Sequence, residues 1–156
     1  MKKVEQTSLF DGPSDQPGDC MRAAYASVLE WEAKDLPKWE AGQPWLTYFR
    51  NFHVFLRLEG YKIKNASYAR PVEWKTPFDS YIATGPSPRT DKAKHCVVHD
   101  WGGFRWDPYP GANGLDGEPD LYEWIVEEDV EFEKAEEWKW GEWIGGKRRV
   151  PPVKIV

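Results

Sequence analysis

The chain has 156 residues, the length of one ordinary domain with room for a single sizeable core. Its 26 acidic residues outweigh 21 basic ones for a formal charge of -5, and no stripe of Lys or Arg follows a predicted helix, which argues against a nucleic-acid partner. The opening "MKKVEQTSLFDG" has no apolar run of signal-peptide length, and nowhere do about eighteen apolar residues follow one another, so the expectation is a soluble cytoplasmic protein with no membrane partner.

Residues 1–17 carry Gly12, Pro13 and Pro17 and little apolar periodicity, and they read as an irregular lead-in. From Asp19, a good N-cap residue type, "CMRAAYASVLEWE" places Met21, Ala24, Tyr25, Val28 and Leu29 on one helical stripe and keeps the other sides small. Such a helix can approach a sheet closely. "KDLPKWEAGQP" breaks it, and "WLTYFRNFHVFLRLEG" then repeats Trp45, Tyr48, Phe49, Phe52, Phe55 and Leu56 as a second amphipathic helix closed by Gly60.

After Gly60 the period changes from helical to alternating. "YKIKNASY", "DSYIAT", "KHCVVHD", "FRWDPYP" and "LYEWIV" read as strands, with a hairpin turn at Trp101-Gly102-Gly103. Helices followed by strands predict an α+β domain over residues 18–144, with the first helix packed on an antiparallel sheet. The stretch "EFEKAEEWKWGEW" from Glu131 reads as a short helix or an edge hairpin, and residues 145–156, with the basic run Lys147-Arg148-Arg149, as a tail. Ten tryptophans, three of them at Trp138, Trp140 and Trp143, either fill a small core or form a binding surface.

The chemistry concentrates on Cys20 at the head of the first helix. A thiol attacks as thiolate, and a helix N-terminus together with an adjacent imidazole can bring its pKa from about 8.5 down to between about 3.5 and 7.5. Of the three histidines, His53 falls among aromatics in the second helix and reads as a partly buried, satisfied side chain. His95 opens the strand before the hairpin, and pairing about that turn carries Asp107 towards it. An aspartate there fixes the imidazole tautomer and stabilises the imidazolium.

A cluster of His95, Cys96 and His99 raises the question of zinc. Strand alternation puts Cys96 on the face opposite the two histidines, and a structural site takes four ligands, so no metal and no other cofactor is expected. Cys20 and Cys96 read as free thiols. In the loop "TGPSPRTDKAKH", Arg89 and Ser87 are suited to a substrate carboxylate or phosphate, or else belong to a solvated loop of turn formers. Trp101, Trp106 and Tyr109 line a cleft or pack the hairpin.

Gly18-Asp19-Cys20 heading a helix, Ser87-Pro88-Arg89, "HCVVHD" and "WDPYPG" together resemble papain-like cysteine peptidases. The likeness is greatest to the bacteriocin-processing branch and to small phage and bacterial proteins with a Gly-Asn/Asp-Cys head, an "SPR" loop and a His strand followed by "HDPHPSG". It runs from about residue 6 to residue 126. The resemblance implies a papain-like fold and a thiol hydrolase acting on an amide, peptide or isopeptide bond. In it Cys20 is the nucleophile, His95 the general base and acid, and Asp107 the residue that orients His95.

Papain-like enzymes place an oxyanion-stabilising glutamine six residues before the cysteine, where this chain has Ser14. Gln16, four residues before, is the oxyanion candidate, with the more distant Gln6 as another and the Cys20 backbone N–H contributing in either case. The partner is then a peptide or protein substrate. The alternative is an inactive binding protein of the same fold, for instance a phage antagonist in the host cytoplasm that captures a host protein or small ligand.

Overall fold

A computed structural model describes residues 1–7, 19–67, 76–90 and 93–127. Gln16, the segment from Glu131 to the end with its three tryptophans, and the basic run at 147–149 lie outside the described residues.

Helix α1 (Cys20–Leu29) is followed by a single 3-10 turn (Ala33–Asp35), helix α2 (Trp45–Leu58) and strands β1 (Tyr61–Ser67), β2 (Tyr81–Pro86), β3 (Lys94–Asp100), β4 (Gly103–Trp106) and β5 (Leu121–Glu127). The strands form one sheet in the order β1-β5-β2-β3-β4, every neighbouring pair antiparallel. Helix α1 lies on β3 and β2 and α2 on β1, which makes the architecture α+β. Among the described residues no helix is long and apolar enough to cross a membrane.

From Met21 to Leu29 every residue of α1 is buried, more than the expected stripe. The sheet covers one side, and the N-terminal segment runs along another. Lys2 N–H donates to the Ser27 carbonyl at 3.3 Å and Val4 N–H to Ser27 Oγ at 3.0 Å. The small residues Ala23, Ala24, Ala26 and Ser27 therefore let two layers approach the helix at once. The helix ends at Leu29, because Glu30 turns to a left-handed backbone (φ 60°) and its N–H closes back on the Ala26 carbonyl.

Asp19 does not cap α1 as its residue type suggested. Its carboxylate accepts instead from Thr7 N–H and Thr7 Oγ1, both at 2.9 Å, and so ties the N-terminal segment to the helix start. A backbone donor and a hydroxyl presented by an adjacent segment replaced the helix's own N–H groups as its partners.

The sheet has an α1-facing side holding Ile82, Cys96, Val98 and Ile125, and an opposite side holding Tyr81, Ala83, Val97 and Tyr122. In the β3–β4 hairpin Asp100 pairs with Gly103 and His99 with Phe104, but Val98 pairs with Trp106, which leaves Arg105 as the extra residue of a bulge. A bulge shifts side-chain parity by one. Trp106 thus turns to the α1 side with Val98, and Asp107 turns to the opposite side, the one that carries His95.

The segment from Asp107 to Asp120 crosses this second side, where Asp116 N–H donates to the Pro86 carbonyl and Asp120 N–H to that of Thr84, both at 2.9 Å. Gly85, the β2 partner of His95, is what allows the crossing. A Cβ there would stand 3.0 Å from Leu115 Cδ1 and 3.2 Å from the Pro119 Cα. Gly85→Ala is therefore expected to lower stability by about 1–3 kcal/mol in urea unfolding, the range for overpacking; an unchanged midpoint would show that the crossing segment yields freely.

Candidate functional site

The start of β3 and the first turn of α1 meet at one end of the sheet, and there the two thiols, one imidazole and one carboxylate come together. His95 Nε2 stands 2.7 Å from Asp107 Oδ1, with both side chains almost sealed from solvent. That bond leaves Nδ1 as the ring nitrogen available to Cys20, whose side chain is near enough to raise the His95 pKa. Asp107 is itself held on both oxygens, by Tyr109 N–H on Oδ1 at 2.8 Å and by Gly114 N–H on Oδ2 at 3.0 Å. The carboxylate cannot swing away without leaving a buried donor unpaired.

Cys20 makes a second contact, with the Cys96 thiol. Alternation along β3 puts Cys96 on the α1 side and His95 on the other. Cys20 meets both because it lies against the beginning of the strand. Beyond it, Thr84 Oγ1 is 3.3 Å from Cys96 Sγ.

These contacts set the charges. The Cys96 hydrogen bond and then the His95 imidazole hold the Cys20 thiol well below its ordinary pKa, against the effect of burial. At His95 burial disfavours the cation, but the hydrogen bonds to Asp107 and Cys20 outweigh it and raise the pKa to about 9. Burial also works against the Asp107 anion, and the bonds from His95, Tyr109 and Gly114 overcome it and keep the carboxyl below its usual range. Between the lowered Cys20 pKa and about 9 the pair is thiolate and imidazolium. Cys96 goes the other way: the neighbouring Cys20 and its own burial push its pKa well above the ordinary thiol value.

A cleft of about 490 Å³ opens onto Cys20 and Cys96. Trp39, Trp45 and Tyr48 supply its helix-side wall, and Thr84, Lys94, Asp120 and Leu121 its sheet-side wall. Trp39 Nε1 donates to the Gln43 carbonyl at 2.8 Å and Tyr48 OH to that of Pro37 at 3.2 Å, so their polar ends are engaged and their rings make the wall. The rings pack on one another, Trp39 on Trp45 at 5.0 Å and nearly parallel to Tyr48 at 5.9 Å.

Ser87 and Arg89 line a neighbouring cavity of about 540 Å³ that shares Ala93 and Lys94 with the first. The Arg89 guanidinium lies 3.7 Å over the Tyr109 ring, and Ser87 Oγ accepts from Arg89 N–H at 3.3 Å. Trp106 is not on the cleft; its indole N–H donates to the Val4 carbonyl at 3.2 Å. Trp101 sits in the hairpin turn at the far end of β3 from His95, half exposed and against Tyr81. The α1-side position that the bulge gives Trp106, and the length of β3, account for both placements.

Gln6 takes a position that its distance from Cys20 in sequence does not suggest. Its backbone N–H donates to the Pro108 carbonyl at 2.9 Å, its side chain is buried (7 % exposed), and Thr7 beside it is bonded to Asp19. The N-terminal segment thus bridges the residue after Asp107 and the residue before Cys20. The three cleft aromatics and the Cys96 contact likewise leave no local signal in the sequence, since each depends on how α1 and α2 dock at the sheet end.

The electrostatic arrangement predicts the NMR titration of the imidazole nitrogens. His95 should keep its proton to about pH 9, and its pKa should fall in Cys20→Ala, which removes one of the bonds that raise it; a wild-type His95 titrating near the ordinary value of about 6.5 would contradict the arrangement.

No family model matches the chain, and neither a curated protein nor a solved structure matches it.

Proposed function

We propose that this is a thiol hydrolase of the papain-like kind, acting on an amide, peptide or isopeptide bond. The observation that carries the reading is the buried His95–Asp107 pair beside Cys20, in which the imidazole uses Nε2 for the carboxylate and so leaves Nδ1 for the sulfur. A structural cysteine has no need of that order of partners.

In this reading the Cys20 thiolate attacks the carbonyl carbon of a chain lying in the cleft. The His95 imidazolium gives its proton to the leaving amine, and the neutral imidazole then takes a proton from the water that resolves the acyl-enzyme. Asp107 holds the tautomer and the ring plane throughout. The Cys20 backbone N–H, one of the helix donors without an intrahelical acceptor, faces the developing oxyanion. Gln6, whose backbone is tied to Pro108 and whose neighbour Thr7 is tied to Asp19, would be the second donor.

The substrate would be a peptide or protein whose residue beside the scissile bond rests on Trp39, Trp45 and Tyr48. The non-catalytic alternative, a binder that captures a host protein or small ligand, makes Cys20 dispensable.

Turnover of a fluorogenic peptide library tests the reading. Cys20→Ala and His95→Ala should abolish turnover, and Gln6→Ala should lower kcat by about 10²–10³, the usual cost of one oxyanion donor, without changing the reactivity of Cys20 towards alkylating agents. The rate should stay level across the thiolate–imidazolium range and fall above about pH 9 as His95 loses its proton. Turnover retained by Cys20→Ala would overturn the proposal, and a reduced wild type that cleaves no peptide in the library would favour the binder.

A further inference from the structure

The second thiol forms no bond and moves no proton in hydrolysis, yet it lies beside the proposed nucleophile and helps hold its pKa down. We propose that Cys20 and Cys96 are a reversible redox couple: a hydroperoxide converts them to a Cys20–Cys96 disulfide that closes the site, and a thiol reductant reopens it. As an off switch this rests on the hydrolase reading, whereas the formation of the bond does not.

Several independent features support the pairing. Both cysteines are free, both line the same cleft, and each shifts the pKa of the other. They come from different elements, α1 and β3, so a bond between them would fasten the helix start to the strand start. Their exposures differ in the useful sense. Cys20 is partly exposed and meets an oxidant first, whereas Cys96 is buried (7 % exposed) and screened until its partner has reacted. Cys96 also keeps a polar neighbour, the Thr84 hydroxyl at 3.3 Å.

The chemistry divides between the two sulfurs. The Cys20 thiolate attacks one oxygen of the hydroperoxide, the O–O bond breaks, and the leaving alkoxide or hydroxide takes up a proton that the His95 imidazolium can supply. Cys20 is then a sulfenic acid, oxidised by two electrons that the peroxide has received. The Cys96 sulfur next attacks the Cys20 sulfur, the S–O bond breaks, the Cys96 proton leaves with the hydroxyl as water, and the S–S bond forms. The order follows from the protonation states. Cys20 is held as thiolate, the form that reacts with peroxide, while Cys96 is held as thiol by its neighbour's charge and by burial, a hold that weakens once Cys20 has lost its charge.

Without a resolving thiol, an exposed sulfenic acid proceeds to sulfinic acid, which ordinary thiol reductants do not reverse. Cys96 would therefore protect Cys20 as well as silence it.

The experiment uses the full chain, reduced, then treated with hydrogen peroxide, trapped with iodoacetamide and read by intact mass and peptide mapping. Wild type should lose two hydrogens, yield a linked Cys20–Cys96 peptide, resist alkylation at both positions and recover fully with dithiothreitol. Cys96→Ser, which keeps a hydrogen-bond donor beside Cys20, and Cys96→Ala should instead gain two oxygens at Cys20 and not recover. Sulfinic acid formed alike in wild type and both variants, or cysteines that stay alkylatable after peroxide, would overturn the couple. If the linked peptide forms but the reduced protein cleaves no peptide, the couple stands and the hydrolase reading falls. If the reduced protein cleaves peptide and no linked peptide forms, the couple falls alone.

Discussion

The hydrogen bond of 2.7 Å between His95 Nε2 and Asp107 Oδ1 joins two side chains that solvent barely reaches, and the placement of the surrounding groups follows from it. A buried carboxylate is tolerated only where its lone pairs are filled, and Asp107 has its own filled by the imidazole and by the backbone N–H groups of Tyr109 and Gly114. Those two donors come from the segment that crosses the sheet, whose close approach needs Gly85 to lack a side chain. The same bond leaves Nδ1 of His95 for Cys20, whose pKa is lowered first by Cys96 and then by the imidazole.

Much of this was legible because it is local. Small residues after Asp19, aromatic periodicity from Trp45 to Leu56, and alternation on either side of Trp101-Gly102-Gly103 belong to short windows in which a period can be read, and α1, α2 and the β3–β4 hairpin appear there. The order of these elements brings the start of β3 and the head of α1 to one end of the sheet, but not the side on which Asp107 stands.

What escaped was set by parity and by docking. An unbulged hairpin would have turned Asp107 to the α1 side, away from His95; the extra residue at Arg105 restores it, and nothing in "GFRWDP" announces a bulge. Asp19 looked like a cap because cap chemistry is local, whereas its actual partner, Thr7, arrives from another segment. The same segment buries Gln6, already an oxyanion candidate from the sequence, and ties it to Pro108, a contact that the sequence does not show. Cys96 was correctly assigned to the other face of β3 from His95, yet the face of a strand does not decide contact at its end, where the first turn of α1 reaches both sides.

The central claim is that Cys20 is a thiolate held by its Cys96 neighbour and by the His95 imidazolium that Asp107 fixes beside it. The most direct test is the rate of iodoacetamide alkylation of Cys20 against pH, followed by peptide mass spectrometry with Cys96 as the internal control, in wild type and in His95→Ala. The account predicts that Cys20 alkylates rapidly well below the ordinary thiol pKa of about 8.5, that Cys96 does not, and that removing His95 shifts the Cys20 profile upward. A Cys20 that reacts only as an ordinary thiol does, with the same profile whether or not His95 is present, would contradict it.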